Sequence, residues 1–171
     1  MVTRVYVPKD STALSLGADE VVAALRKAKA PIEIIRTGTR GMLWLEPLVE
    51  VETSAGRIAY GPVSADDVPG LLAAGLLTGA SHALRIGKPE DHPYLKTQQR
   101  LTFARVGIVD PSSVEDYIAH GGYRGLERAL TMAPADIVKT VADSGLRGRG
   151  GAAFPTGIKW KTVLDQNEPQ K

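Results

Sequence analysis

The first eighty residues alternate short apolar strands with amphipathic helices, and this order constrains the fold more than any other feature of the chain. The segments "TRVYV" (Thr3 to Val7) and "IEIIRT" (Ile32 to Thr37) are rich in β-branched residues, which favours two strands. Between them, "LGADEVVAALRKAK" has apolar residues at helical spacing, acidic residues near its start and basic residues near its end. The chain is therefore predicted to begin with a strand, a helix and a second strand.

A hairpin and a second helix are predicted next. The segments "LEPLVEVET" and "GRIAYGPV" alternate apolar with polar or small residues and flank a turn from Ser54 to Gly56. "ADDVPGLLAAGLL" then fits a helix with Asp66 and Asp67 at its start and Pro69 in its first turn, where no backbone donor is lost. The order β-α-β-β-β-α predicts a small α/β domain over residues 1–80.

The remainder of the chain is predicted to be a linker followed by helices. Residues 81–93, "SHALRIGKPEDHP", have turn formers, mixed charges and no periodicity, which indicates a linker. In residues 94–171, "DPSSVEDYIAHGG" predicts a helix with Asp110 or Ser112 as its N-cap and Gly121 as its stop. Two further helices are predicted from "YRGLERALTM" and "APADIVKTVADSG", and a last one begins near "PTGIKW".

Composition excludes several classes of function. The chain has no cysteine, so by itself it holds no disulfide, iron-sulfur cluster or thiolate metal site. A formal charge of +2, with nearly equal numbers of acids and bases, argues against a general polyanion-binding surface and so against nucleic acid as a partner. No signal-like segment and no apolar run long enough to cross a bilayer is present, which predicts a cytoplasmic protein without a membrane partner.

The segment "SGLRGRGGAAFPTGIKW" (Ser144 to Trp160) is the main candidate for a binding site. Glycines let several backbone N–H groups turn toward one point, while Arg147, Arg149 and Lys159 supply positive charge. A nucleic-acid-binding arginine-glycine tail is disfavoured because a single copy lies between two predicted helices, but a purely structural turn stays open. The spacing matches neither the Walker loop nor the Rossmann fingerprint. The glycines and basic residues by themselves still indicate a site for the phosphate of a nucleotide or flavin.

The same segment closely resembles the flavin- and NADH-binding signature of the family that contains the NADH-oxidising flavoprotein subunit of respiratory complex I. Ala153 stands where the family usually has a glycine. The family includes diaphorase subunits of NAD-reducing hydrogenases and of NAD-dependent formate dehydrogenases. The stretch "YLKTQQRLTFARVGIVDPSSVEDYIAHGGYRGLERAL" (Tyr94 to Leu130) is most similar to the beta subunit of the formate dehydrogenases.

The resemblance implies flavin mononucleotide (FMN) and NAD as cofactors. It implies that Lys159 pairs with the flavin and that Phe154 stacks on the nicotinamide nucleotide. Arg147 is a further candidate for cofactor binding, and its alternative role is to anchor the loop to an acidic neighbour. The residues implied to line the phosphate and ring of FMN are Gly148, Arg149, Gly150 and Gly151. In the complete enzyme, hydride exchange between NAD and FMN would be coupled to single-electron transfer through iron-sulfur clusters.

The first eighty residues resemble the thioredoxin-like ferredoxin module of complex I, whose four cysteines would fall at about Pro8, Ala13, Thr39 and Leu43. None of these is cysteine, which implies a module without a cluster that serves as a scaffold or docking surface. The mostly helical residues 94–171 are expected to be the truncated start of the FMN/NADH-binding domain. Iron-sulfur clusters are then expected only in the missing C-terminal part and in partner subunits.

The resemblance also implies partner subunits. These are the formate dehydrogenase alpha subunit, which carries molybdenum or tungsten, and the gamma subunit, which carries a two-iron cluster. A hydrogenase diaphorase and a non-catalytic docking module are the two alternatives. By itself, the fragment is expected to be inactive.

The histidines and tryptophans carry no catalytic pattern in the sequence. His82, His92 and His120 lie in the predicted linker or at a helix end, and nothing pairs them as metal ligands or as a base with its orienting partner. They are predicted to be surface residues. Core packing is predicted for Trp160 and favoured for Trp44, with an interface as the alternative for Trp44.

Overall fold

The computed structural model describes residues 2–168. The backbone forms two compact units, the first ending at His120 and the second starting at Gly121. Residues 81–120 therefore belong to the first unit, while the functional domains 1–80 and 94–171 stay a prediction. Over the residues described, no helix is long and apolar enough to cross a membrane.

The first unit is built on one five-stranded sheet with the order β2-β1-β3-β4-β5. β1 and β2 are parallel, with Val5 opposite Ile34, whereas β3, β4 and β5 each pair antiparallel with the strand before them in this order. The strands are β1 (Thr3–Pro8), β2 (Ile32–Thr37), β3 (Val49–Thr53), β4 (Gly56–Tyr60) and β5 (Arg85–Gly87). A parallel strand-helix-strand unit joined to an antiparallel hairpin is the thioredoxin-like topology, so the predicted α/β fold is confirmed.

Three helices accompany the first four strands of this sheet. They are α1 (Ser11–Ser15), α2 (Ala18–Lys27) and α3 (Val68–Ala73), the last preceded by a 3₁₀ turn over Ala65–Asp67. Pro69 lies in the first turn of α3, as predicted. α1 is missing from the sequence prediction and is capped by Asp10, whose carboxylate accepts hydrogen bonds from the backbone N–H groups of Thr12 and Ala13.

The apolar core lies between the sheet and these helices. Alternate residues of β1 and β3 point into it because side chains along a strand alternate between the two faces of a sheet. Val5, Val7 and Val51 are fully buried there. The helices and the chain after β4 complete the cluster with Val21, Val22, Leu25, Val63, Val68, Leu71 and Leu76.

The segment predicted as a linker is structured. Strand β5 pairs with β4, and Pro89 is buried in a 3₁₀ turn over Pro89–Asp91, followed by α4 (Pro93–Lys96). Short strands with mixed charges escape detection by periodicity because three residues are too few to show alternation. Residues 81–93 therefore belong to the sheet unit, where the sequence alone indicated only a connection.

Helix α5 (Val114–Ala119) has a different N-cap from either of the predicted ones. Ser113 has an extended backbone, and its hydroxyl accepts a hydrogen bond from the N–H of Asp116 at 3.0 Å. The Asp110 carboxylate instead accepts from the N–H of Ser112 and from Lys9 Nζ, at 2.8 and 3.2 Å. The prediction of Asp110 or Ser112 as the N-cap was therefore wrong, since both residues precede the helix in a turn.

The second unit contains helices α6 (Arg124–Ala129), α7 (Pro134–Asp143) and α8 (Thr156–Leu164). The predicted helix start at Pro134 is confirmed, and α7 ends just before Gly145, which has a left-handed φ of 66°. α7 and α8 pack at very short range because Gly157 has no side chain. A Cβ there would lie 2.5 Å from the Cα of Ala142.

Candidate functional site

The glycine segment forms a closed loop between α7 and α8. Two backbone hydrogen bonds pair its ends, from the N–H of Gly148 to the carbonyl of Phe154 and from the N–H of Thr156 to the carbonyl of Leu146, both at 2.9 Å. They flank an antiparallel bridge between Arg147 and Pro155. Residues 149–153 therefore protrude as a short loop on a paired base, unlike a disordered tail.

A side chain also crosses the base of this loop. Arg147 Nε donates a hydrogen bond to the carbonyl oxygen of Ala153 at 2.7 Å. Ala153 has a φ of 49°, in the left-handed region that costs an alanine about 1 kcal/mol. Gly151, with a φ of 98°, adopts positive φ without that cost.

The tip of the loop offers unpaired backbone donors. In the stretch from Arg149 to Phe154, no backbone N–H donates to an acceptor within the described chain, whereas the N–H of Gly148 is taken by Phe154. A Cβ added at Gly150 or Gly151 would meet no atom within 4 Å, so the tip is open. Unpaired N–H groups in an open loop with left-handed residues are a common arrangement for holding an anion.

Positive and aromatic side chains lie next to the loop. Lys159, in the first turns of α8, places its Nζ 5.6 Å from the ring centroid of Phe154, a cation–π distance. Phe154 is 45% exposed, so its ring stays accessible. Within residues 2–168, neither Arg149 nor Lys159 forms an ion pair, and both charges are available to a ligand.

Neither tryptophan belongs to the core. Trp160 is 45% exposed and lines an open groove of about 620 Å³ with apolar residues of α7 and α8. Trp44 is 56% exposed and meets Tyr94 edge-to-face, with ring centroids 5.0 Å apart. Core packing was wrong for both residues because the sequence shows which residues are apolar but not which surfaces another element covers.

Three of the positions matched to ferredoxin cysteines have structural roles in the first unit. Ala13 is fully buried in the core, and Pro8 is buried at the end of β1. Thr39 Oγ1 donates a hydrogen bond to Glu46 Oε1 at 2.6 Å. The fourth position, Leu43, is 47% exposed.

Glu46 is a buried carboxylate that sequence reasoning missed. It is 3% exposed and also accepts a hydrogen bond from the backbone N–H of Leu48 at 2.8 Å. Burial raises the pKa of the Glu46 carboxyl above its ordinary value, although the hydrogen bonds from Thr39 and Leu48 act in the opposite direction. The "LWLEP" context carries no periodic signal that would have placed this glutamate inside.

The histidines bond near neighbours in the sequence, and the ring of His92 also lies against Trp44, with ring centroids 6.3 Å apart. The Nδ1 atoms of His82 and His92 accept hydrogen bonds from the backbone N–H groups two residues later, of Leu84 and Tyr94. His120 lies 3.1 Å from Asp116 on α5. These contacts fit the predicted surface positions, since none of the three rings is buried.

Part of the chain is similar in sequence to subunits of NADP-reducing hydrogenase and NADH-quinone oxidoreductases. The NADP-reducing hydrogenase subunit HndC of Solidesulfovibrio fructosivorans is 54% identical over 76 residues, which are 44% of this chain and 16% of that protein. One subunit of the NADH-quinone oxidoreductase of Aquifex aeolicus is 42% identical over 77 residues, 45% of this chain and 18% of the relative. No protein-family model matches the chain.

The corresponding subunit of the NADH-quinone oxidoreductase of Streptomyces coelicolor is 55% identical over 51 residues, 30% of this chain and 11% of the relative. The chain thus spans less than a fifth of the length of these curated relatives. Among solved structures, it is similar to the thioredoxin-like [2Fe-2S] ferredoxin of Aquifex aeolicus, at 22% identity and a TM-score of 0.43, over 51% of this chain and 98% of the ferredoxin.

Proposed function

We propose that this chain is part of the FMN- and NAD-binding diaphorase subunit of a soluble, multi-subunit NAD-linked oxidoreductase. The open, donor-rich loop from Arg149 to Phe154 carries the proposal, and the identity of 54% to an NADP-reducing hydrogenase subunit supports it. In the complete complex, electrons would pass between NAD, FMN and iron-sulfur clusters. The clusters would lie outside this chain, which has no cysteine.

The residues of the loop fit a flavin phosphate. Unpaired backbone N–H groups from Arg149 onward, together with the Arg149 guanidinium, supply donors and positive charge to a dianion. The glycines at 150 and 151 let a phosphate approach the backbone closely. These residues would bind and orient the phosphate end of FMN.

Lys159 and Phe154 would act at the other end of the site. Lys159 is already oriented toward the loop by its contact with Phe154 and would contribute positive charge beside the flavin. The half-exposed ring of Phe154 would provide an apolar face for the nicotinamide nucleotide. When bound, FMN supplies the conversion between two-electron hydride chemistry and one-electron transfer.

We further propose formate dehydrogenase as the complex, with an alpha subunit that carries molybdenum or tungsten and a gamma subunit that carries a two-iron cluster. The likeness of "YLKTQQRLTFARVGIVDPSSVEDYIAHGGYRGLERAL" to formate dehydrogenase beta subunits supports this choice. A hydrogenase is the second candidate because the NADP-reducing hydrogenase subunit is 54% identical. The purified complex would separate the two, since formate-dependent and hydrogen-dependent reduction of NAD are distinct assays.

Flavin binding by the full-length subunit tests the central proposal. We expect the wild-type subunit to take up FMN with the visible absorbance of an oxidised flavin, and Arg149→Gln to bind FMN about tenfold more weakly because one charged donor is lost. Arg128→Gln, an exposed arginine on α6, is the matched control and should bind as wild type does. No flavin uptake by the wild-type subunit would leave the docking module as the function of this part.

A further inference from the structure

Arg147 and Arg149 lie two residues apart in the glycine loop but make different contacts. Arg147 Nε donates to the Ala153 carbonyl at 2.7 Å across the base of the loop, whereas the Arg149 side chain forms no hydrogen bond or ion pair within residues 2–168. One guanidinium is therefore used by the loop itself. The other is available to a ligand.

The contact of Arg147 closes the loop at the place where its backbone is strained. Ala153 holds a φ of 49°, and its carbonyl is fixed by Arg147, while the next residue, Phe154, accepts the N–H of Gly148 at 2.9 Å. The side-chain bond and the two backbone bonds therefore all close the same base of the loop. Without the Arg147 side chain, no side-chain bond would hold the Ala153 carbonyl, and the backbone at Ala153 could leave its strained left-handed conformation.

We propose that Arg147 is a positioning residue, which holds the phosphate-binding loop in shape through the Ala153 carbonyl and does not itself bind the phosphate. The proposal rests on the function proposed above, because it assigns a role within the same flavin site. Arg147 would then hold the shape of the loop, and Arg149 would bind the phosphate. Lysine cannot replace Arg147 in this role, since lysine has a methylene where arginine has Nε.

Amide hydrogen exchange tests the contact without any flavin. In Arg147→Met and in Arg147→Lys, we expect the N–H groups of Gly148 and Thr156 to exchange about five- to tenfold faster than in the wild-type chain, because one charge-assisted hydrogen bond across the base is lost. Arg128→Met is the matched control and should leave both rates unchanged. Unchanged rates in both Arg147 variants would overturn the proposal.

Binding of FMN and of riboflavin, which lacks the phosphate, separates positioning from two other roles. In the full-length subunit, both variants should lose about tenfold in FMN affinity while riboflavin affinity changes by less than about twofold. An equal loss for both flavins would mean a merely structural role, and a Lys variant that binds FMN as wild type does would mean that charge alone matters. Either result contradicts the proposal, whereas a wild-type subunit that binds neither flavin would instead refute the proposed function.

Discussion

Arg40 and Glu50 form a buried ion pair with two parallel hydrogen bonds. Arg40 Nε lies 2.8 Å from Glu50 Oε1, and Arg40 Nη2 lies 2.7 Å from Glu50 Oε2, with the two side chains only 6% and 4% exposed. Arg40 follows β2 and Glu50 lies in β3, so the pair ties the segment after β2 to the sheet. This planar two-point geometry is specific to arginine.

Breaking this pair should destabilise the first unit. We expect Glu50→Gln to lower the free energy of unfolding by about 3–5 kcal/mol, because it leaves the Arg40 charge buried with weakened compensation. Urea denaturation followed by circular dichroism measures the change. Arg4→Met, which removes one partner of an exposed pair, is the control and should leave the midpoint unchanged.

Removing both charges gives a second measurement on the same pair. The double variant Arg40→Met/Glu50→Leu should recover most of the loss, since apolar side chains of similar size can replace a buried pair at little cost. A double variant as unstable as Glu50→Gln would contradict this account. It would mean that the neighbouring contacts of Glu90 and Arg57 depend on these charges.

Glu46 should make stability depend on pH. Because burial raises the pKa of its carboxyl, the folded chain holds this proton to a higher pH than the unfolded chain. The contribution of Glu46 to stability is therefore most favourable below the ordinary glutamate pKa and is lost as the pH rises through the folded value. Glu46→Gln should gain stability relative to wild type as the pH rises above the ordinary glutamate pKa.

The same position provides its own control. Glu46→Ala removes the acceptor of the buried N–H of Leu48 and should cost about 1–3 kcal/mol. Urea denaturation at several pH values distinguishes the variants. Parallel curves for wild type and Glu46→Gln would show that this carboxyl titrates alike in the folded and unfolded chains.

Strands were easier to predict than contacts in this chain. The sequence predicts strand β2 with the bounds that the structure shows, Ile32–Thr37, because a run rich in β-branched residues is flanked by Pro31 and Gly38. α1 was missed because five residues with a single buried alanine, Ala13, show no helical period. The raised pKa of Glu46 depends on burial, which the local sequence does not encode.

The candidate site was predicted in its residue types and its setting between two helices, but its internal bonds were not. The sequence suggested an acidic neighbour as one possible anchor for Arg147, whereas within the described residues Arg147 Nε donates to the Ala153 carbonyl. A backbone acceptor leaves no trace in the sequence, because every residue has one. The sequence shows an alanine at position 153 but does not reveal its backbone conformation. The positive φ of Ala153 is visible only in the structure.

The left-handed alanine in the loop should be a point of strain. We expect Ala153→Gly to stabilise the second unit by about 0.5–1 kcal/mol, because glycine adopts a φ of 49° without the cost of a Cβ. Ala152→Gly is the matched control at a residue without positive φ and should destabilise the unit. Urea denaturation of the two variants decides the matter, and changes of the same sign would argue against strain at Ala153.

The close contact between α7 and α8 should make Gly157 intolerant of any side chain. A Cβ at Gly157 would lie 2.5 Å from the Cα and 2.7 Å from the Cβ of Ala142, so Gly157→Ala must force the helices apart at a cost of about 1–3 kcal/mol.

The matched control is Gly125→Ala on α6, where an added Cβ meets no atom within 4 Å and should stabilise the helix by about 0.5 kcal/mol. Fluorescence of Trp160 on α8 reports unfolding of this unit once Trp44 is replaced by phenylalanine. The two alanine variants should shift the midpoint in opposite directions, and a stabilised Gly157→Ala would show that α7 and α8 do not pack as closely as described.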